Sequence, residues 1–180
     1  MKLLLRSTLF LLMSWTSLRA QQIPLSPAAH KKILKTISML WQGTEVQTSA
    51  MTITDSQLQG SPLKFGNIQL NVLKKAGEIL GYSYIDKVKG KTETFTYVVF
   101  FKPDLSVKSV QLLDYSEGYG SEIGSSRWLT QFESKANGEK LEFGKDIKNI
   151  SGATISARAI TEGIKRLTLN MRELRRMGVI

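Results

Sequence analysis

The chain has 180 residues, no cysteine and a single histidine, His30. Disulfides, thiolate metal sites, iron–sulfur clusters, thioether-linked haem and a cysteine-borne lipid anchor are thereby excluded, and one histidine builds no metal site by itself. The formal charge of +10 suits an anionic lipid surface or an acidic partner, while no nucleic-acid module is recognisable and nucleic acid is not an expected partner.

Residues 1–20 read as a secretory signal peptide. Lys2 and Arg6 form a basic start, the stretch from Thr8 to Trp15 is apolar, and Ala20 supplies the small residue at a cleavage point. The apolar run is too short to span a bilayer comfortably. Cleavage after Ala20 is the preferred reading and an uncleaved anchor the alternative. Lys2, Arg6 and Arg19 account for three positive charges, so the chain from residue 21 onward keeps +7. The expected location is the periplasm or the outer face of the cytoplasmic membrane.

Residues 21–64 read as an N-terminal helix and loop, and residues 65–180 as the main domain. Ser26-Pro27 supplies a cap and a first-turn proline. Ile33, Leu34, Ile37, Leu40 and Trp41 follow at helical spacing, with Gly43 as the stop and Lys31, Lys32 and Lys35 facing solvent. His30 reads as an exposed residue of this helix. Residues 44–66 are polar and punctuated by glycine and proline, which predicts a loop with one short strand.

Ile68, Leu70 and Val72 alternate with polar residues, the pattern of a half-buried strand. Ile79, Tyr82, Tyr84, Ile85 and Val88 form a second apolar stretch. Phe95, Tyr97, Val99 and Phe101 alternate with Val98 and Phe100, which predicts a strand covered on both faces. Pro103-Asp104 makes a turn, and Val107, Val110, Leu112 and Leu113 return, giving a β-hairpin over 93–114. Residues 117–124 are a glycine-rich loop. Ser125 or Ser126 then caps a short helix with Trp128, Leu129 and Phe132, and 134–145 is a polar turn region. A last helix is predicted from near Ser156. Its stripe is Ile160, Ile164, Leu167, Met171 and Leu174, and Arg158, Lys165, Arg166, Arg172, Arg175 and Arg176 lie opposite. That basic side is solvated or lies on a membrane surface. Central strands with flanking helices predict an α+β domain built on a small antiparallel sheet.

The stretch with chemical content is Ile150-Ser151-Gly152-Ala153-Thr154-Ile155-Ser156-Ala157. Small residues there admit a ligand close to the backbone. The amides that open a helix lack internal partners and sit at the positive end of its dipole, which favours a phosphate. Thr154 places a hydroxyl at that point; the residue alone fits an ordinary helix cap as well as a phosphate contact.

The segment SGATIS resembles the flavinylation motif of the FMN-binding domain family, found in the extracytoplasmic subunits of sodium-pumping quinone reductases and of the related ferredoxin-dependent complexes. YSEGYGSEIGSSRWLTQF, residues 115–132, and the hairpin YVVFFKPDLSVKSVQLLDY resemble the same family, and together the likeness runs over roughly residues 65–170. It implies FMN as cofactor, joined through a phosphodiester to Thr154 by a flavin transferase that uses FAD. It implies electron transfer with membrane redox partners rather than a stand-alone enzyme. The cofactor-binding residues it points to are Ser151, Gly152, Ala153, Thr154 and Ser156, with Gly118, Tyr119, Gly120, Glu122 and Trp128 as candidates from the preceding loop and helix. Arg127 and Arg158 are candidates for the phosphate. Tyr119 and Trp128 also fit an exposed turn residue and a core residue, and Glu122 a solvated carboxylate. The family motif carries an acidic residue six positions before the acceptor threonine. Here that position is Lys148, and Asp146 lies two residues further upstream. A non-covalent FMN module and a cofactor-free interaction domain are the alternatives.

Overall fold

The computed structural model describes residues 23–42, 45–51, 53, 55–61, 69–116, 118 and 120–180. Residues 1–20, read above as a signal peptide, and Gly43, Ile68 and Tyr119 lie outside the described residues.

Helix α1 spans Pro27–Leu40, capped by the Ser26 hydroxyl, which accepts the Ala29 N–H. A cap of this kind contributes about 1 kcal/mol. Strands β1 (Gln47–Met51), β2 (Gln69–Lys75), β3 (Glu78–Lys89), β4 (Thr94–Phe101) and β5 (Val107–Asp114) follow, with α2 (Ser126–Leu129) and α3 (Thr154–Arg176) closing the chain. The five strands pair in sequence order and all antiparallel. Consecutive strands are joined locally, so the sheet is a meander with helices on both faces, an α+β fold as the sequence predicts.

The two faces of the sheet divide the core. Tyr84, Phe95, Tyr97, Val99 and Phe101 point toward α3, whose Ile160, Ile164, Leu167, Met171 and Leu174 are all buried against them. Leu73, Ile85, Val98, Phe100 and Leu113 point the other way, under Ala29 and Ile37 of α1. This corrects the half-buried reading of β2: Leu70 and Leu73 are both buried, because α1 covers the face that the alternation assigned to water. It also corrects α1 itself. Leu34 is 65 % exposed, since the face that packs runs through Ala29, Ile33, Ile37 and Leu40 and leaves Leu34 outside it. The hairpin over 93–114 is present as β4 and β5.

Two contacts seat α3 on the sheet. Gly163 passes so close to β4 that an added Cβ would stand 2.3 Å from the Tyr97 hydroxyl and 2.9 Å from Val88 Cγ1. The Tyr97 hydroxyl donates to Asp86 Oδ2 at 2.9 Å, and Arg166 meets the same oxygen at 2.5 Å. Burial pushes the Tyr97 phenol well above its ordinary pKa, and it pushes Tyr84 up to about 12. The basic side of α3 is exposed at Arg158, Arg166, Arg172, Arg175 and Arg176, although Arg166 is tied to Asp86 and Arg176 to Glu173.

Candidate functional site

Helix α3 begins two residues earlier than the pattern of its apolar stripe suggests, at Thr154 rather than Ser156. The stripe starts only where the helix reaches the sheet, so the first turn carries no apolar signal. The N-cap position is Ala153, which makes no side-chain capping bond. Thr154 is therefore not the cap. Its hydroxyl is exposed and accepts a hydrogen bond from Asn149 Nδ2 at 3.2 Å. Asn149 is held in turn, because its Oδ1 accepts the Ile150 N–H at 2.7 Å. The first closed turn of the helix runs from Ala157 N to Ala153 O at 2.8 Å, and the backbone N–H groups that open a helix lie ahead of such a turn.

A cleft of about 620 Å³ opens at this helix start, lined by Lys91, Thr92, Gly118, Gly152, Ala153, Thr154, Ile155 and Ser156. Its size falls in the range of small-molecule sites. Three separate segments meet there: the turn between β3 and β4, the glycine loop after β5, and the loop into α3. Gly152 has φ +77° and faces open space, so the position demands left-handed backbone while leaving room above it. Gly120, at φ +74°, packs on the motif loop: an added Cβ would lie 2.3 Å from Ala153 Cβ and 3.4 Å from the Gly152 carbonyl oxygen.

The candidates separate accordingly. Gly152, Ala153, Thr154, Ser156 and Gly118 line the cleft, and Gly120 supports it from behind. Ser151 is exposed just before it. Ser156 is 1 % exposed, so its wall is largely backbone. Glu122 lies in a second cleft of about 590 Å³, bordered by Lys32, Gln111, Asp114 and Tyr115, and not in the cleft of Thr154. Trp128 is 6 % exposed, set edge-on to Phe132, with its indole N–H donated to the Lys148 carbonyl at 2.8 Å. That bond anchors the segment leading to the motif, and the ring belongs to the core. The Arg158 guanidinium stacks over Phe143 at 4.6 Å. Arg127 is exposed on α2 and does not line the cleft. Asp146 Oδ2 accepts the Glu142 N–H at 3.0 Å and so closes its own turn; Lys148 is exposed.

Lys91, Thr92 and Asn149 escape a reading of the sequence. Lys91 and Thr92 sit in a hairpin turn about sixty residues before the motif, and only the sheet brings that turn to the helix. Ile155 is 52 % exposed beside Thr154, an apolar residue outside the core stripe and hence a legible but ambiguous signal. His30 is exposed on α1 near Ser26, and among the described residues no cluster of histidine and carboxylates suits a metal.

An open cleft walled by loops at one end of the sheet and by the start of a long helix is the candidate ligand site of this α+β domain. Residues 90–168 match the family model of the FMN-binding domain. The likeness to that family is confined to this stretch, and it indicates FMN as the cofactor. Every residue lining the cleft lies inside the matched stretch. None of the curated proteins matches the chain. The residues fit the group: the open space over Gly152 and the positive start of α3 suit an anionic phosphate, and the apolar Ile155 suits a flat ring.

Proposed function

We propose that the protein is an exported electron carrier whose FMN is joined through a phosphodiester to Thr154. The observation that carries this reading is the state of the Thr154 hydroxyl. It is exposed in the cleft, is not spent on capping α3, and is oriented by the Asn149 amide. Ser151 and Ser156 offer no equal: one stands outside the cleft and the other is buried.

The bond-forming step is an exchange at phosphorus. The Thr154 oxygen bonds to the FMN-side phosphorus of FAD, the bond from that phosphorus to the AMP oxygen breaks, and AMP departs while the hydroxyl proton passes to solvent. No electrons are transferred. A flavin transferase supplies the active site for this exchange. The product keeps one negative charge, which the start of α3 stabilises. When bound, FMN supplies the redox chemistry, accepting electrons from a membrane reductase and passing them to another carrier. The protein positions it and restricts water. Outside the cytoplasm a covalent bond also prevents loss of a scarce cofactor, which agrees with the signal-like residues 1–20. Among the described residues no helix is long and apolar enough to cross a membrane.

The test is intact mass of the protein co-expressed with a flavin transferase. Wild type should carry the added mass of FMN less one water. Thr154→Ala should lack it, Thr154→Ser should keep some, and Ser151→Ala should keep most of it. An adduct that persists in Thr154→Ala would place the bond elsewhere. A second reading, exchangeable FMN in the same cleft, is favoured by Lys148 at the position where the family motif is acidic. It would show as FMN that is released on denaturation, leaving no adduct in the wild type.

A further inference from the structure

We infer that Lys91, in the turn that faces Thr154 across the cleft, raises the reduction potential of the bound FMN. The inference rests on FMN being held in this cleft. Among the described residues lining it, Lys91 is the single charged side chain; the others are Thr92, Gly118 and the segment from Gly152 to Ser156. The turn that carries it is fixed at both ends. Gly90 N donates to the Glu93 carbonyl at 2.8 Å, and the Lys89 ammonium donates to the Thr92 carbonyl. The β3–β4 pairing holds up to Lys89 and Thr94 on either side.

The physical consequence follows from charge balance. In neutral to alkaline solution the isoalloxazine ring takes two electrons from a donor and one proton from solvent, and so gains one net negative charge. A cation beside the ring stabilises that product over the neutral starting ring. Aliphatic Ile155 and the backbone of Gly152 and Ala153 supply no competing charge. The phosphate end of FMN is negative in both redox states. A lysine that served only that end would leave the potential unmoved.

The experiment uses the FMN-loaded protein, with flavin content first fixed by visible absorbance and intact mass. Wild type, Lys91→Gln, Lys91→Glu and Lys91→Arg are then titrated with dithionite against a reference dye at mildly alkaline pH. Lys91→Gln should lower the equilibrium constant for two-electron reduction about tenfold, or roughly 30 mV. Lys91→Glu should lower it further, Lys91→Arg should keep the wild-type value, and the differences should shrink in high salt. Fully loaded Lys91→Gln and Lys91→Glu with an unmoved potential would overturn the inference. So would loss of FMN from those two variants alone, which would make Lys91 a phosphate anchor. A wild type that takes up no FMN removes the functional reading beneath it, and the absorbance measured before titration tells the two failures apart. Lys91 is exposed in a turn, so circular dichroism should show every variant folded.

Discussion

Gly120 stands so close to Ala153 that a Cβ on the glycine would lie 2.3 Å from the Cβ of the alanine. The glycine loop after β5 and the loop into α3 are therefore one packed unit, although more than thirty residues separate them in the chain. Gly120→Ala should be costly for two independent reasons, its left-handed backbone and the collision. Together they amount to about 2–4 kcal/mol. Gly118→Ala, whose added Cβ meets nothing within 4 Å, should cost well under about 1 kcal/mol. Urea unfolding of the two variants checks the contrast. FMN retention should fall with Gly120→Ala, and equal stabilities would show that the two loops move apart freely.

Asn149 bears on Thr154 alone among the motif hydroxyls. Asn149→Ala should slow the attachment of FMN by flavin transferase severalfold while leaving the final product the same, because the hydroxyl remains but loses its orienting donor. A time course of adduct formation by mass spectrometry is the measurement. An unchanged rate would mean that the transferase orients Thr154 without help from this amide.

Gly163 and Tyr97 make a coupled pair between α3 and β4. Gly163→Ala should destabilise by about 1–3 kcal/mol, because its Cβ collides with the Tyr97 hydroxyl. Tyr97→Phe removes that oxygen together with its bond to Asp86. In the double variant part of the Gly163→Ala cost should vanish, leaving the contact with Val88 Cγ1 as the residue of the strain. A double-mutant cycle in urea reads the coupling. Strict additivity would indicate that α3 shifts instead of pressing on the ring.

Alkaline stability should report Tyr84. Burial raises its phenol to about 12 in the folded protein, against about 10 when unfolded. A raised value means that the folded state holds the proton after the unfolded state has released it. The stabilisation is whole below about pH 10 and is lost as pH climbs from there toward 12, with a slope near 1.4 kcal/mol per pH unit from this group. Tyr84→Phe should flatten that slope in a pH series of unfolding curves. Asp86, Arg166 and Asn170 face the same ring, and Tyr97 shares the direction of the shift, so some slope should persist. A profile identical to wild type would show that Tyr84 titrates alike in both states.

The sequence by itself determined the elements and the place of the chemistry. Strict alternation in β4, the Pro103-Asp104 turn and the stripe of α3 are local signals, because side-chain direction in a strand or helix follows from backbone geometry alone. The SGATIS segment was singled out by its resemblance to the FMN-binding domain family, since its residues alone fit an ordinary helix cap as well. Only the tertiary structure decided which face of β2 meets water, since that depends on α1 folding back over Leu73, Ile85 and Phe100. It separated Glu122 and Trp128 from the cleft and brought in Lys91 and Thr92. It also showed that Ala153, not Thr154, stands at the helix cap. Each of these turns on contacts between segments far apart in the chain, and no residue type or spacing encodes such a contact before the sheet and α3 have packed.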